Sequence, residues 1–207
     1  MFDRSKEFVV KILSGGEKQC VVRFPTDEEW CERTRGQRAI RRQLGRGRAE
    51  YDTSNTEAAD AALFLKIRVD EDGPEFDEAE GSYVVGRLER CQVLDVERIG
   101  DRFRIAMQVA GGEVAHVLKI PAKRAAIEYG RASVRAIESR RSQEIRLALE
   151  PSAELWAKVY VDAEGYHPAS GEEIAAAVPI VHKDVAVVEL LAAVEAAQDE
   201  DDPDPEN

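Results

Sequence analysis

The sequence predicts an α+β protein made of two units of β-hairpin or meander plus helix, followed by C-terminal helices and a disordered acidic tail. In residues 7–24, apolar and polar side chains alternate on both sides of Ser14-Gly15-Gly16, which is typical of a hairpin. Similar alternation recurs in residues 102–120 around Gly111-Gly112, and each stretch runs into a proline. Residues 181–197 are strongly apolar, which favours a closing helix packed on the core.

The first unit is expected to cover residues 1–48. Thr26 and Glu29 form a capping-box pattern immediately after the hairpin. We therefore expect a helix from Asp27 to about Leu44, where glycines follow.

A helical connector is expected over residues 49–92. Ser54 with Glu57 forms another capping-box pattern, which predicts a short helix ending near Ile67. A weaker helix interrupted by glycines is expected over residues 77–91.

The second unit is expected to cover residues 93–150. A strand from Val93 to Ile99 precedes the second hairpin, so the pair makes a three-stranded meander. A helix is then expected from Pro121 to about Leu149. Since both units read as hairpin, proline and helix, the pattern suggests an internal duplication, although this strand-to-helix junction is common.

The C-terminal region is expected to hold helices over residues 151–197 and a disordered tail over 198–207. Leu155, Trp156 and Val159 form a helical stripe after Pro151, which is expected to break the preceding helix. Six acidic residues lie in the last nine positions, with no apolar residue among them. Such a segment buries too little surface to offset the entropy lost on ordering.

The composition predicts a globular protein that stays in the cytoplasm. Of the 207 residues, 43% are hydrophobic, and no run approaches the ~18 to 20 apolar residues that a membrane span requires. The N-terminus is charged from Asp3 to Glu7, unlike the apolar core of a signal peptide. Three cysteines at unrelated spacings argue against a disulfide framework and a zinc site.

No catalytic, metal-binding or cofactor-binding pattern stands out in the sequence. The glycine motifs of phosphate-binding loops and nucleophile elbows are missing. His116 falls on an inward strand position and is expected in the core. His167 is expected in a loop, and His182 at the start of the last helix, where it is interpreted as solvated together with Lys183. We therefore expect no enzymatic activity, no cofactor and no metal. An enzyme that uses paired carboxylates stays open as a third possibility, because acidic residues are plentiful.

Arginines are concentrated in residues 33–48, which contain no acidic residue. The candidates for binding an anion or a partner are Arg35, Arg38, Arg41, Arg42, Arg46 and Arg48, with Arg33 at the start of the segment. On the expected helix, steps of three and four residues place several of them on one face. The guanidinium fork matches carboxylate and phosphate groups, so this face should recognise something anionic.

Three sources of that anion stay open. Acidic groups of this chain, such as residues 70–80 or the tail, come first because they are abundant. A partner protein comes second. Nucleic acid comes third, because the net charge of -12 opposes attraction to phosphate and no aromatic side chains interleave with the arginines.

The stretch from Val22 to Trp30, Val-Arg-Phe-Pro-Thr-Asp-Glu-Glu-Trp, resembles small tail-assembly proteins of long-tailed bacteriophages and prophages, the tail-assembly chaperones among them. The resemblance implies a non-enzymatic protein that binds the tape-measure protein or the tube subunits before assembly. It also implies a bacterial host cell or the virion as the location. The leading hypothesis is therefore a protein-binding module of phage tail assembly. The alternative is a nucleic-acid-binding regulator that uses an arginine-rich helix over residues 33–48.

Overall fold

The computed structural model describes residues 1–13, 17–37, 39–43, 49–52, 54–70, 72–138, 142–168 and 172–201. For residues 39–43, 49–52, 54, 135–138, 142–146 and 199–201 the description covers the backbone alone. The helices are α1 (Asp27–Gly36), α2 (Ser54–Ile67), α3 (Glu78–Glu89), α4 (Lys123–Ser133), α5 (Glu150–Val159), α6 (Ile174–Ala177) and α7 (Ile180–Asp201). The strands are β1 (Glu7–Ile12), β2 (Lys18–Arg23), β3 (Ala39–Gln43), β4 (Ala49–Asp52), β5 (Gln92–Ile99), β6 (Arg102–Val109), β7 (Gly112–Lys119), β8 (Val134–Glu138), β9 (Ser142–Leu147) and β10 (Tyr160–Glu164). The predicted α+β class is confirmed.

The described strands form three antiparallel sheets. One contains β1 and β2 alone, the second has the order β10-β7-β6-β5, and the third has the order β4-β3-β9-β8. The third sheet joins two hairpins that are far apart in sequence, because β3 pairs with β9.

The first hairpin and its helix start agree with the sequence prediction. Val10 lies opposite Cys20 in the register of β1 and β2. The Thr26 hydroxyl accepts a hydrogen bond from the Glu29 backbone N–H, and the Glu29 carboxylate accepts one from the Thr26 backbone N–H. This capping box satisfies backbone donors at the start of α1.

The predicted helix over residues 27–44 is wrong after Gly36. The backbone at Gln37 is extended, and β3 follows, with Arg41 opposite Tyr51 and Gln143. Glycine weakens a helix, and pairing with strands on both sides of β3 outweighs the helix propensity of its alanine, arginines and glutamine. The arginine-rich helix over residues 33–48 therefore does not form.

The predicted helix from Pro121 to Leu149 is also wrong in its second half. Helix α4 ends at Ser133, and the hairpin of β8 and β9 occupies the next segment. β-branched residues such as Val134 and Ile145 favour a strand, and β9 finds its second neighbour in β3. Pro151 breaks no helix, since it lies in the first turn of α5, where a missing N–H costs little.

Three of the predicted segments need smaller corrections. The connector over residues 49–92 begins with strand β4, and the C-terminal region over 151–197 contains β10, an additional strand beside β7. In the tail over 198–207, the backbone of residues 198–201 continues α7, so disorder is wrong there. Residues 202–207 lie outside the described part of the chain.

The order hairpin, helix, hairpin, helix occurs twice along the chain. It runs once from β1 to α2 and once from β6 to α5. The second copy carries extra strands at both sides of its first hairpin, namely β5 and β10. A duplication is consistent with this order and stays a prediction.

Buried side chains from both halves of the chain form one cluster. It contains Phe24 and Trp30 from the first unit, Leu118 from the second, and Trp156 and Leu190 from the C-terminal helices α5 and α7. Helix α7 packs against α1, α5 and β6. The two units therefore share a core among the residues described.

Candidate functional site

Arg33 is a buried structural cation and offers no surface to a ligand. Its Nε donates to Asp60 Oδ1 at 2.5 Å, and its two terminal nitrogens donate to the Glu89 carboxylate at 2.6 and 2.8 Å. Its guanidinium also lies 5.2 Å from the ring centre of Trp30. Burial opposes the charge, but the hydrogen bonds that Arg33 donates to Glu89 and Asp60 hold its pKa above the usual value. Arg33 thus ties α1 to α2 and α3.

Arg35 is exposed and pairs with Glu150 at the start of α5. Its Nε donates to Glu150 Oε1 at 3.1 Å, and its Nη2 contacts the same oxygen. Both described arginine side chains of the segment are therefore neutralised by acids of this chain. Those acids are Asp60, Glu89 and Glu150, and they do not come from residues 70–80.

The other predicted site residues are not brought onto one helical face. Arg41 and Arg42 lie in β3, where Arg42 is opposite Glu50 of β4 and Ser142 of β9. Arg38, Arg46 and Arg48 lie outside the described residues. Since the helix that would have aligned the arginines is not formed, the nucleic-acid hypothesis loses the geometry on which it depended.

A chain of buried aromatic and imidazole groups links β7, α5 and α7. Trp156 Nε1 donates to His116 Nδ1 at 3.0 Å, and His116 Nε2 lies 2.9 Å from the Tyr166 hydroxyl. The same hydroxyl lies 3.1 Å from His182 Nδ1. Since indole nitrogen only donates, the proton of neutral His116 sits on Nε2, and Tyr166 in turn donates to His182.

Burial keeps both histidines neutral. It lowers the pKa of His116 to about 3, with a further contribution from Lys183, and lowers the pKa of His182 well below its usual value. His116 is in the core as predicted, whereas the prediction of a solvated His182 is wrong, because its side chain is fully buried. The sequence signal was available, since His182 falls on the apolar side of the closing helix.

No cluster of three or more histidine, cysteine or acidic side chains that could hold a metal ion occurs among the described residues. The hydroxyl of buried Ser152 donates to half-buried Asp184 at 2.5 Å and joins α5 to α7, and burial raises the pKa of Asp184. In the described structure neither His116 nor His182 forms a hydrogen bond with Ser152. Ser152 and the buried histidines therefore do not form a nucleophile paired with its general base.

The outer face of the first hairpin carries a row of valines, which we call the valine strip: Val9, Val21 and Val69. Val9 lies opposite Val21 in the hairpin, and the backbone N–H of Val69 donates to Val21 O at 2.9 Å on the other side. Val9 is 61% exposed and Val69 is 42% exposed, with Val21 half-buried between them. Sequence alternation could have indicated Val9 and Val21, but not the approach of Val69.

A cleft of about 370 Å³ runs along the free side of β1. It is lined by residues 8–11 of β1, by Arg87 and Leu88 of α3, and by the turn at Ala110 and Gly111. The lining combines apolar side chains with two charged groups, Lys11 and Arg87.

No match to the chain was found among protein-family models, curated proteins or solved structures. Its function therefore has to be argued from the contacts described above. None of the described helices combines the length and the apolar composition that a membrane-spanning segment needs.

Proposed function

We propose that the chain is a non-catalytic protein-binding module that acts in the assembly of a phage or prophage tail. The valine strip is the observation that supports binding to a protein. The tail-assembly context is supported by the resemblance alone, which covers mainly residues 8–48 and is carried by residues 22–30.

The valine strip has the composition of a small protein-binding surface. Its three side chains are contiguous across neighbouring extended segments, and charged or polar residues lie in the rows on both sides: Glu7 with Arg23, and Lys11 with Gln19. An apolar centre with a polar rim is typical of protein interfaces. Single exposed valines would need no explanation, but a contiguous row suggests a partner.

The charged and imidazole groups most able to serve other functions are used inside the fold. Arg33 holds three helices together, and His116 and His182 form part of the buried hydrogen-bond chain. Among the described features, the valine strip on the outer face of the hairpin is therefore the one that best supports a binding role.

The proposal is tested with two purified proteins, the tape-measure protein and the tube subunit of the phage or prophage that encodes this chain according to the proposal. We expect one of them to bind the wild-type chain, and Val69→Asp to weaken that binding about tenfold or more, because a buried carboxylate would lack a partner. Val188→Asp is the matched control, since Val188 lies on α7 and is 48% exposed. Binding should survive in the control. Failure of both tail proteins to bind, or equal losses in the two variants, would contradict the proposal.

A further inference from the structure

Strand β1 has an open edge. It pairs with β2 on one side, and on the other side its residues 8–11 line the cleft beside α3. Side chains alternate between the two faces of a strand, so four successive residues can line one cleft only where the backbone edge faces it. An open edge presents unpaired backbone groups to another strand.

We propose that this edge pairs with the same edge of a second copy of the chain, with the two β1 strands antiparallel about a two-fold axis at Val9. The two hairpins then form one four-stranded sheet in the order β2-β1-β1-β2. This inference concerns the chain alone and does not depend on the proposed function.

Charge complementarity selects the second copy as the occupant. With Val9 opposite its own copy, Glu7 lies opposite Lys11 of the second copy, and the symmetry repeats this contact. In the described structure Glu7 forms no ion pair, and Lys11 contacts only the exposed Glu17, at 3.1 Å. Both charges are therefore available for pairing across the axis.

The neighbouring registers do not pair these charges. Sliding the strands by two residues puts either Glu7 or Lys11 opposite Val9 of the second copy. Sliding them by one residue turns the inward face of one strand outward, which exposes its apolar side chains. Of these registers, the one centred on Val9 alone pairs Glu7 with Lys11 and keeps the apolar side chains of both strands on the inner face.

The apolar side chains of β1 also fit this register. On the inner face, Phe8 lies opposite Val10 of the second copy, and both are only half-buried in the single chain, whereas Ile12 is 2% exposed. The cleft of about 370 Å³ lies along the same edge of β1, where the second copy pairs in this arrangement. On the outer face the two Val9 side chains meet, so the two valine strips become continuous.

The first experiment measures the dissociation constant of the dimer by analytical ultracentrifugation. We expect a concentration-dependent dimer for the wild type, and a constant about tenfold or more weaker for Glu7→Lys and for Lys11→Glu, because like charges then face each other twice. The double variant Glu7→Lys with Lys11→Glu should recover the dimer. Circular dichroism establishes that each variant is folded.

Three results would overturn the inference. A chain that stays monomeric over the whole concentration range has no such interface. A dimer that tolerates both single substitutions uses another face. Single variants that dissociate without recovery in the double variant show that the two charges do not pair with each other.

A second experiment tests whether the two-fold axis of the dimer passes through Val9. Val9→Cys should form a disulfide-linked dimer under mild oxidation, because facing residues of antiparallel strands have Cα atoms about 4.5–5.5 Å apart. Leu13→Cys is the control, since Leu13 is 79% exposed but lies far from its own copy in this register. Equal crosslinking of both variants, or none in the first, would contradict the proposal. Val69→Asp should leave the dimer intact, which separates this interface from partner binding.

Discussion

Arg33 shows how a charge is kept in the interior of this fold. Its side chain is 5% exposed and contacts two carboxylates, one of which, Asp60, is itself 6% exposed. Ser82 and Gln37 also donate to Asp60, so the buried acid has several donors. A group of this kind is stabilising only while it is complete, because an unpaired buried charge is costly.

Removing Arg33 should therefore be much more harmful than removing its exposed neighbour. For Arg33→Met we expect the free energy of unfolding to fall by about 3 kcal/mol, since Asp60 loses its main partner in the interior. Arg35→Met, which breaks an exposed pair with Glu150, should have a far smaller effect. Urea denaturation of the two variants measures the difference, and similar losses in both would contradict the role assigned to Arg33.

The buried histidines should make the protein sensitive to mild acid. The folded-state pKa of His116 is about 3, while an unfolded histidine titrates near 6.5. Below pH 6.5 the unfolded chain binds a proton that the folded chain does not, so stability is complete above pH 6.5 and falls as the pH falls. The expected slope approaches about 1.4 kcal/mol per pH unit for each buried histidine.

This dependence is measured by urea denaturation at several pH values between 7 and 4.5, for the wild type and for His116→Asn. The raised pKa of Asp184 acts in the opposite direction, so the difference between the two proteins isolates the histidine. Glu29, whose pKa is lowered to about 2 mainly by Arg23, contributes mostly below this range. A difference that stays constant with pH would show that His116 titrates normally in the folded chain.

Among the elements, those with local signals could be predicted and those with distant partners could not. The hairpin of β1 and β2, the meander strands and α7 have turn residues or hydrophobic patterns within their own segments. Strand β3 has none, since Ala-Ile-Arg-Arg-Gln fits a helix equally well. Its conformation depends on pairing with β9, which local periodicity does not reveal.

The same limit applies to the candidate surfaces. The arginine segment is visible in the sequence, but the acids that pair with Arg33 and Arg35 come from three other helices. Alternation in the hairpin exposes Val9 and Val21, whereas Val69 reaches them only through the tertiary fold. Residues that act through one element were predictable, and residues that act through contacts between elements were not.

At the scale of the whole molecule, the N-terminal residues join the first unit to the C-terminal region. The backbone N–H of Phe2 donates to Gly165 O at 2.6 Å, and Phe2 O accepts from the His167 N–H at 2.8 Å. Its ring packs edge-on against Phe24 of the first unit and His182 of α7. Phe2 therefore belongs to both halves of the buried cluster.

A shared core predicts that the two units unfold together. The chain has two tryptophans, Trp30 in the first unit and Trp156 beside the second, and both are buried. Trp30→Phe and Trp156→Phe each leave a single fluorescent reporter of one half. In each variant, the urea midpoint from fluorescence should coincide with that from circular dichroism, because a two-state transition gives all probes the same midpoint.

Phe2→Ala, added to either variant, should lower the free energy of unfolding by about 3 kcal/mol as measured by both tryptophan reporters. If one reporter changed before the other, the units would be separate lobes, and the contacts of Phe2 would contribute to only one of them.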